Sequence, residues 1–405
     1  MHNGRHNERI SRHTRERWNE MKRYQASRPS RLRSGSRSKS LGAVGAVVAA
    51  LVLAACGSSE GGSDSSGGTA DQDALDELLS EKVELPYPTT PTEIGEHTVS
   101  FITSGVAAGG TAEVQADQVK IIEDAGWTVD GPYDGEFTPS LQGTLIEQAV
   151  LRGVDGIILY SIPPETVPAA VKSAQEAGIP IVCSFCQPTQ PTEGVTLIGE
   201  TAESLVTPQI PVILADLNKD DATIVVVRFE NNTVEANTSE QIRLIEEQCP
   251  DCKVETIVFS VSDLGKPTVP AYVNMLREYP EGELDAVIAP FNPAATSLIN
   301  TAEQAGRDDF RIHVTFGDAE IGQQIESGEH APLLAGSVIE SPIFKGYAIV
   351  DALARVFNDQ EVPDYSNLPG APIMQQNAGE YLNDDGRWET DEMKAKFYEQ
   401  WGLSD

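Results

Sequence analysis

The chain has 405 residues, 40% of them apolar, which suffices for about two substantial cores and excludes disorder throughout. Asp and Glu outnumber Lys and Arg by 62 to 29, a formal net charge of −33, so the surface repels phosphate backbones and anionic headgroups and nucleic-acid binding is not the expected function. The average hides a split, because residues 1 to 40 carry 12 basic side chains against three acidic ones, Glu8, Glu16 and Glu20, and residues 41 to 56 carry no charge at all.

Leu41 to Ala55, LGAVGAVVAALVLAA, is uncharged and mostly apolar. It falls short of the roughly 20 residues that span a bilayer and reads as a signal-peptide core. The step Leu53-Ala54-Ala55-Cys56 resembles the bacterial lipobox. That resemblance implies cleavage after residue 55, lipid on the Cys56 thiol, and a mature protein anchored on the extracytoplasmic face of the cell membrane. Met21, followed by Lys22 and Arg23, makes a more ordinary start than Met1, so residues 1–20 read as an over-extension. Gly57 to Gly68, GSSEGGSDSSGG, is a flexible tether, and residues 57 to 70 would reach roughly 20 Å. Ala74 to Lys82 is a short acidic amphipathic piece; with Pro86, Pro88 and Pro91 after it, the stretch to residue 97 reads as a spacer.

From residue 98 short β-branched or apolar runs alternate with amphipathic stretches, the pattern of βα units around parallel sheets. Strands are expected at Val99–Thr103, Trp127–Gly131, Gly156–Tyr160, Pro180–Ser184, Thr196–Ile198, Thr223–Phe229, Lys253–Phe259, Ala286–Ala289, Arg311–Phe316 and Leu333–Val338. Helical spacing covers Glu113–Ala125, Leu141–Arg152, Glu165–Ala177, Leu205–Leu217, Glu235–Glu247, Pro267–Glu278, Ala294–Ala305, Ile343–Phe357 and Glu389–Trp401. Gly126, Gly153, Gly178 and Gly306 follow four of these as expected helix stops.

Three stretches carry a family resemblance: Asp117 to Trp127 (DQVKIIEDAGW), Arg152 to Leu159 (RGVDGIIL) and Gln175 to Val182 (QEAGIPIV). Leu284 to Ala289, Ala302 to Gly306 and Val314 to Asp318 continue it in order and spacing. Residues 98 to 360 resemble the sugar-cluster type I periplasmic binding proteins, the family of ribose-binding protein. The resemblance implies an α/β fold of two Rossmann-like lobes joined by a three-segment hinge near residues 200, 338 and 359, with ligand in the interlobe cleft. The lobes would be 98–200 plus 339–358 and 201–338 plus 359–405. It further implies a monomeric, lipid-anchored solute-binding component of an ABC importer that delivers a small molecule to a membrane permease and ATPase. A ligand-binding sensor lipoprotein signalling to a membrane receptor kinase is the alternative on the same fold. An exported enzyme is the third reading.

Catalysis has little support. The sequence has no Gly-x-Ser-x-Gly, phosphate-binding or dinucleotide-binding fingerprint, and no cofactor is expected. His97, His313 and His330 lie far from one another and from the cysteines, so a local metal cluster is not written, and His313 reads as a packed strand residue. Apart from Cys56, the cysteines form Cys183-Ser-Phe-Cys186 and Cys249-Pro-Asp-Cys252. A four-cysteine zinc site is the sharper reading, but the separation of the pairs is far beyond the roughly 15 to 20 residues of zinc ribbons, and two local disulfides in an oxidising compartment are preferred. The loop Ser104 to Gly110 either cradles an anion at a helix start or is a close-approach loop lining the cleft, the reading favoured here.

In the sugar-binding relatives, an Asn- and aromatic-rich first loop, an Asp-Arg pair, a helical Arg, an Asn or Asp and a final Asp hold sugar hydroxyls. Here the Asp-Arg position is Phe185-Cys186, the helical Arg region holds Asn231, Asn232 and Asn237, the next position is Phe291-Asn292, and only Asp318 keeps its match. With Ser104, Ser161 and Ser337 these are the candidate ligand contacts. Each Phe could instead belong to the core, and Asp318 could be a helix N-cap as well as a contact. Loss of the Arg removes a charge-assisted partner for hydroxyl groups and disfavours anions, Arg228 being the one basic residue at a strand end. The expected ligand is a small neutral sugar-like or ring-containing molecule, or a cation, with an apolar or ring face.

Overall fold

The structure, a computed structural model, describes residues 68–107, 110–186, 188, 191–230 and 232–404. Cys56, the signal segment and most of the tether lie outside the described residues. Among the described residues, eleven strands form two sheets. The first holds β1 (Thr98–Thr103), β2 (Thr128–Asp134), β3 (Gly156–Tyr160), β4 (Ile181–Ser184) and β5 (Val195–Ile198), all parallel, in the order β2-β1-β3-β4-β5. The second holds β6 (Thr223–Phe229), β7 (Lys253–Phe259), β8 (Ala286–Ala289), β9 (Arg311–Val314), β10 (Leu334–Ile339) and β11 (Ala371–Met374), in the order β11-β10-β9-β8-β6-β7. The central strands β3, β8 and β10 are buried at every residue, as continuous apolar runs covered on both faces must be. Edge strand β7 instead exposes Lys253 and Glu255, which blunt its open edge.

The helices are α1 (Gly68–Ser80), α2 (Thr111–Asp124), α3 (Pro139–Arg152), α4 (Pro168–Glu176), α5 (Ala202–Val206), α6 (Gln209–Leu217), α7 (Asn232–Gln248), α8 (Pro270–Glu278), α9 (Asn292–Ala305), α10 (Ala319–Ser327), α11 (Pro342–Phe357) and α12 (Asp391–Trp401). Gly153 and Gly306 cap α3 and α9 in the left-handed region, and Gly126 and Gly178 also have positive φ just beyond α2 and α4. Three connections join the sheets: β5 to α5, β10 to α11, and α11 to β11. The first and third are tied together by Gly199 N donating to Tyr365 O at 2.9 Å and Leu368 N donating to Gly199 O at 2.9 Å. This is the two-lobed α/β architecture expected from the sequence.

Five details depart from that expectation. The helix read as Leu205–Leu217 is broken into α5 and α6 at Pro208, whose ring and missing N–H end a helical run. Helix α10 was not foreseen, because its only buried apolar side chains are Ile321 and Ile325. Gly322 in its middle would weaken an isolated helix, but a Cβ there would meet Gly386 O at 2.7 Å. Strand β11, four residues with a proline, pairs antiparallel at the sheet edge, the position where proline is tolerated. Finally, the stretch read as spacer is packed on the body. Leu75 and Leu79, on one face of α1, lie against Val212, Ala335 and Met374 in the second lobe. Beyond it, Tyr87 meets Phe344 and Phe397 edge-on, and Trp127 Nε1 donates to Ile94 O at 2.9 Å. The last helix, read with the second lobe, packs on α11 through Tyr347, Phe397 and Trp401. Helix α11 in turn packs on α2 and β4 of the first sheet.

Candidate functional site

Parallel strands feed loops from their carboxyl ends, and in two-lobed α/β proteins these ends face a crevice. A cavity of about 120 Å³ lies there. The first lobe supplies Ser104, Phe137, Tyr160, Ser161 and Phe185, with Gly110, Thr111 and Val114 at the start of α2. The second lobe supplies Phe229, Val234, Phe291, Phe316, Gly317 and Asp318, and the second crossover adds Glu340 and Pro342.

Backbone conformation marks the first-lobe wall. Phe137, Ser161 and Phe185 have φ of 51°, 56° and 57°, a left-handed conformation that side chains with a Cβ rarely adopt. Ser161 N donates to Ser184 O and Phe185 N to Ile198 O, each at 2.9 Å, so neighbouring strand ends hold both residues there. Phe185 stacks on Tyr160 with centroids 5.9 Å apart and meets Phe316 of the opposite lobe edge-on at 4.8 Å. Phe291 stands edge-on to Phe229 at 4.8 Å. Both phenylalanines weighed between core and cleft therefore serve each: they pack on core rings and line the cavity.

Asp318 has two roles as well. Its Oδ1 caps α10 by accepting from Glu320 N at 2.9 Å and Ile321 N at 3.4 Å, and it also accepts from Asn292 Nδ2. Asn292 Oδ1 in return accepts from Asp318 N at 3.0 Å. Burial, only partly offset by the two capping amides, raises the Asp318 carboxyl to about 6. Across the cleft, Gly110 has φ +78°, and a Cβ built on it would lie 3.3 Å from Asp318 Oδ2. The first loop thus brings bare backbone up to a carboxylate, which fits the close-approach reading and argues against an anion cradle.

Sequence reasoning missed the base of the site. Lys345 is completely buried and reaches two carboxylates: Glu200 from the first crossover, at 3.3 Å, and Glu340 from the second. Its ammonium also stands 5.1 Å from the Phe185 ring centroid. Burial and the neighbouring Glu340 push Glu200 well above the usual carboxylate range, opposed by Lys345. Burial opposes charge on Lys345, but Glu200 and Glu340 outweigh it and keep the ammonium. Single charged residues in apolar surroundings, as in Val338-Ile-Glu340 and Ile343-Phe-Lys345, were the available signal.

Of the candidate contacts, Ser104, Ser161, Phe185, Phe291 and Asp318 line the cavity together. Cys186 does not: it is buried in the first lobe's core and bonded to Cys183, with Cα atoms 5.8 Å apart. Asn292 lies behind Asp318 and orients it. Asn237, inward-facing on α7, is buried without a hydrogen-bond partner among the described residues and is not in the lining. Ser337 is also outside it, because its hydroxyl donates to Val314 O at 3.0 Å and Val338 O at 3.1 Å. Asn231 lies outside the described residues, as does the side chain of Asn232. Arg228 is exposed and paired with Glu235. Cys249 and Cys252 close their own bridge, with Cα atoms 5.3 Å apart, at the α7–β7 turn. Among the described residues no group of three or more His, Cys, Asp and Glu could hold a metal ion, and no helix is long and apolar enough to cross a membrane. His313 is a packed strand residue paired with Asp216 at 3.1 Å. Burial opposes ionisation of Asp216, but His313 and Arg311 outweigh it and hold the carboxyl at about 2.

Residues 100–361 match the periplasmic binding protein domain family. The chain belongs to that family. Solved structures agree on the fold. A sugar ABC transporter protein from Yersinia enterocolitica superposes with a TM-score of 0.65 at 18% identity, covering 76% of this chain and 95% of its own. A solute-binding protein from Agrobacterium vitis with bound allitol gives 0.62 at 14% identity, over 71% and 98%. A 5-methylthioribose transporter solute-binding protein from Thermotoga lettingae gives 0.60 at 18% identity, over 76% and 94%.

Proposed function

We propose that this periplasmic binding protein is the lipid-anchored solute-binding component of an ABC importer. It captures a small molecule with a ring or apolar face by closing its lobes, and hands it to a permease and ATPase without chemical change. The lobes are residues 98–200 with 339–358 and residues 201–338 with 359–405, the last helix of the latter stretch packing back on α11, and the protein works as a monomer tethered through Cys56 outside the cytoplasmic membrane. The observation that carries the reading is the aromatic cavity between two sheets joined by three crossovers, with Phe185 and Phe316 meeting across it at 4.8 Å. Pockets of this kind, apolar with few polar groups and set at a domain interface, are what small-molecule sites require, and hinge closure is the motion such crossovers permit. The ABC transporter relatives support the importer role.

A thermal-shift screen of several hundred metabolites tests it, since a binder at 100 times its dissociation constant adds about 2.7 kcal/mol. Small-angle scattering with the best hit should show a smaller radius of gyration and no product formed. A true ligand that leaves the lobes apart refutes the closure. For the anchor, Cys56→Ala should abolish lipid labelling; unchanged labelling refutes it.

A further inference from the structure

The charge balance of the cavity narrows the ligand further, given that the cleft is a solute site as proposed above. Six rings line it, from Phe137, Tyr160, Phe185, Phe229, Phe291 and Phe316, and two carboxylic residues, Asp318 and Glu340, face it. Among the described residues no Lys or Arg does. Lys345, the nearest ammonium below the floor, faces the two carboxyl groups of Glu200 and Glu340 and has no charge to spare. No basic side chain among the described residues forms an ion pair with Asp318: Lys266 and Arg387 line adjoining cavities beside it but are paired with Asp263 and with Glu113 and Asp117, and its neighbours Glu320 and Glu113 are acidic. All its hydrogen bonds among the described residues fall on Oδ1, so Oδ2, beside Gly110, is the acceptor left for a guest.

A neutral ligand filling this space would strip water from the Asp318 carboxylate and return no charge, which is the costly way to bury an acid. A cation removes that cost by pairing with Asp318, and the ring faces add cation–π attraction, stronger where water is excluded. The helix starts of α2 and α10 near Asp318 supply only about half a charge each and do not replace a counter-ion. We infer that the cavity is built for a small organic cation, an amine or quaternary ammonium, whose apolar part lies against the rings and whose nitrogen faces Asp318.

The test sets small amines and quaternary ammonium salts against their neutral isosteres, benzylamine against benzyl alcohol and choline against its all-carbon analogue. A panel of neutral sugars and polyols runs alongside. Binding to the mature protein is read by thermal shift and then calorimetry. The expected result is at least one cation binding about tenfold or more tighter than its isostere, with most of that preference lost in Asp318→Asn. That variant keeps the helix cap and therefore the fold. A neutral sugar as tightest binder, with affinity unchanged in Asp318→Asn, overturns the cation proposal and leaves the solute-binding reading standing. Absence of binding by every cation also overturns it, and silence from both panels counts against both readings.

Discussion

Two charged sites, one on helix α11 in the scaffold and one in the cleft, are built on opposite principles. On the helix, Asp351 and Arg355 are almost fully buried and every partner is in place. Arg355 donates to Asp351 at 2.7 and 3.2 Å and to Thr90 Oγ1 and O at 2.9 and 2.6 Å, while Tyr365 OH and Trp401 Nε1 donate to Asp351 at 2.8 and 3.0 Å. Burial and the adjacent Asp351 keep the Tyr365 hydroxyl protonated, hence a donor. This cluster ties the N-terminal strap, α11, the third crossover and the last helix together. In the cleft, Asp318 is half-buried with no basic partner among the described residues, and its carboxyl is pushed up to about 6. A saturated network rigidifies a fold; an under-satisfied acid at a cavity weakens it and invites a ligand. The contrast separates scaffold from site without reference to either's sequence.

The largest break should come from the saturated cluster. Asp351→Ala strands a buried guanidinium, a hydroxyl and an indole N–H, and is expected to cost about 3 to 5 kcal/mol in urea unfolding. A loss below about 1 kcal/mol would remove the contrast. The opposite sign is expected in the cleft. A carboxyl raised from 3.8 to about 6 by folding destabilises the native state once ionised; the cost is absent below the unfolded value, grows between the two, and is complete above about pH 6. Asp318→Asn should therefore stabilise the ligand-free protein at pH 8 by up to about 3 kcal/mol and leave it unchanged near pH 3.5. Equal melting temperatures of the two proteins at pH 8 would show that the cleft acid is not strained.

Phe185→Ala sharpens the comparison at the ring wall. It should weaken ligand binding about tenfold, or about 1.4 kcal/mol, while the empty protein melts within a few degrees of wild type. Matched losses in stability and affinity would make Phe185 a core residue only. The smallest effect belongs to Arg387, which reaches from the C-terminal segment to Glu113 and Asp117 on α2 and is partly exposed. Arg387→Ala should cost less than about 1 kcal/mol, and the loss should fade in high salt; a larger, salt-independent loss would place it with the buried networks.

The sequence by itself determined the alternation of strand and helix, the helix stops at Gly153 and Gly306 and the closure of each Cys-x-x-Cys pair. Each is a local matter, set by apolar periodicity, by glycine's freedom at positive φ, or by the short reach of a Cys-x-x-Cys pair, whereas Phe185, Phe291 and Asp318 were named through the family resemblance. Only the tertiary structure decided the rest. Glu200, Glu340 and Lys345 meet because two crossovers far apart in sequence run side by side. Asn237, Asn292, Cys186 and Ser337 miss the lining because their side chains turn into packed or hydrogen-bonded surroundings that no spacing reveals. Helix α10 has too few apolar residues, and strand β11 is too short, to announce themselves, and they form because the rest of the second lobe supplies the packing and pairing that their own sequence does not signal.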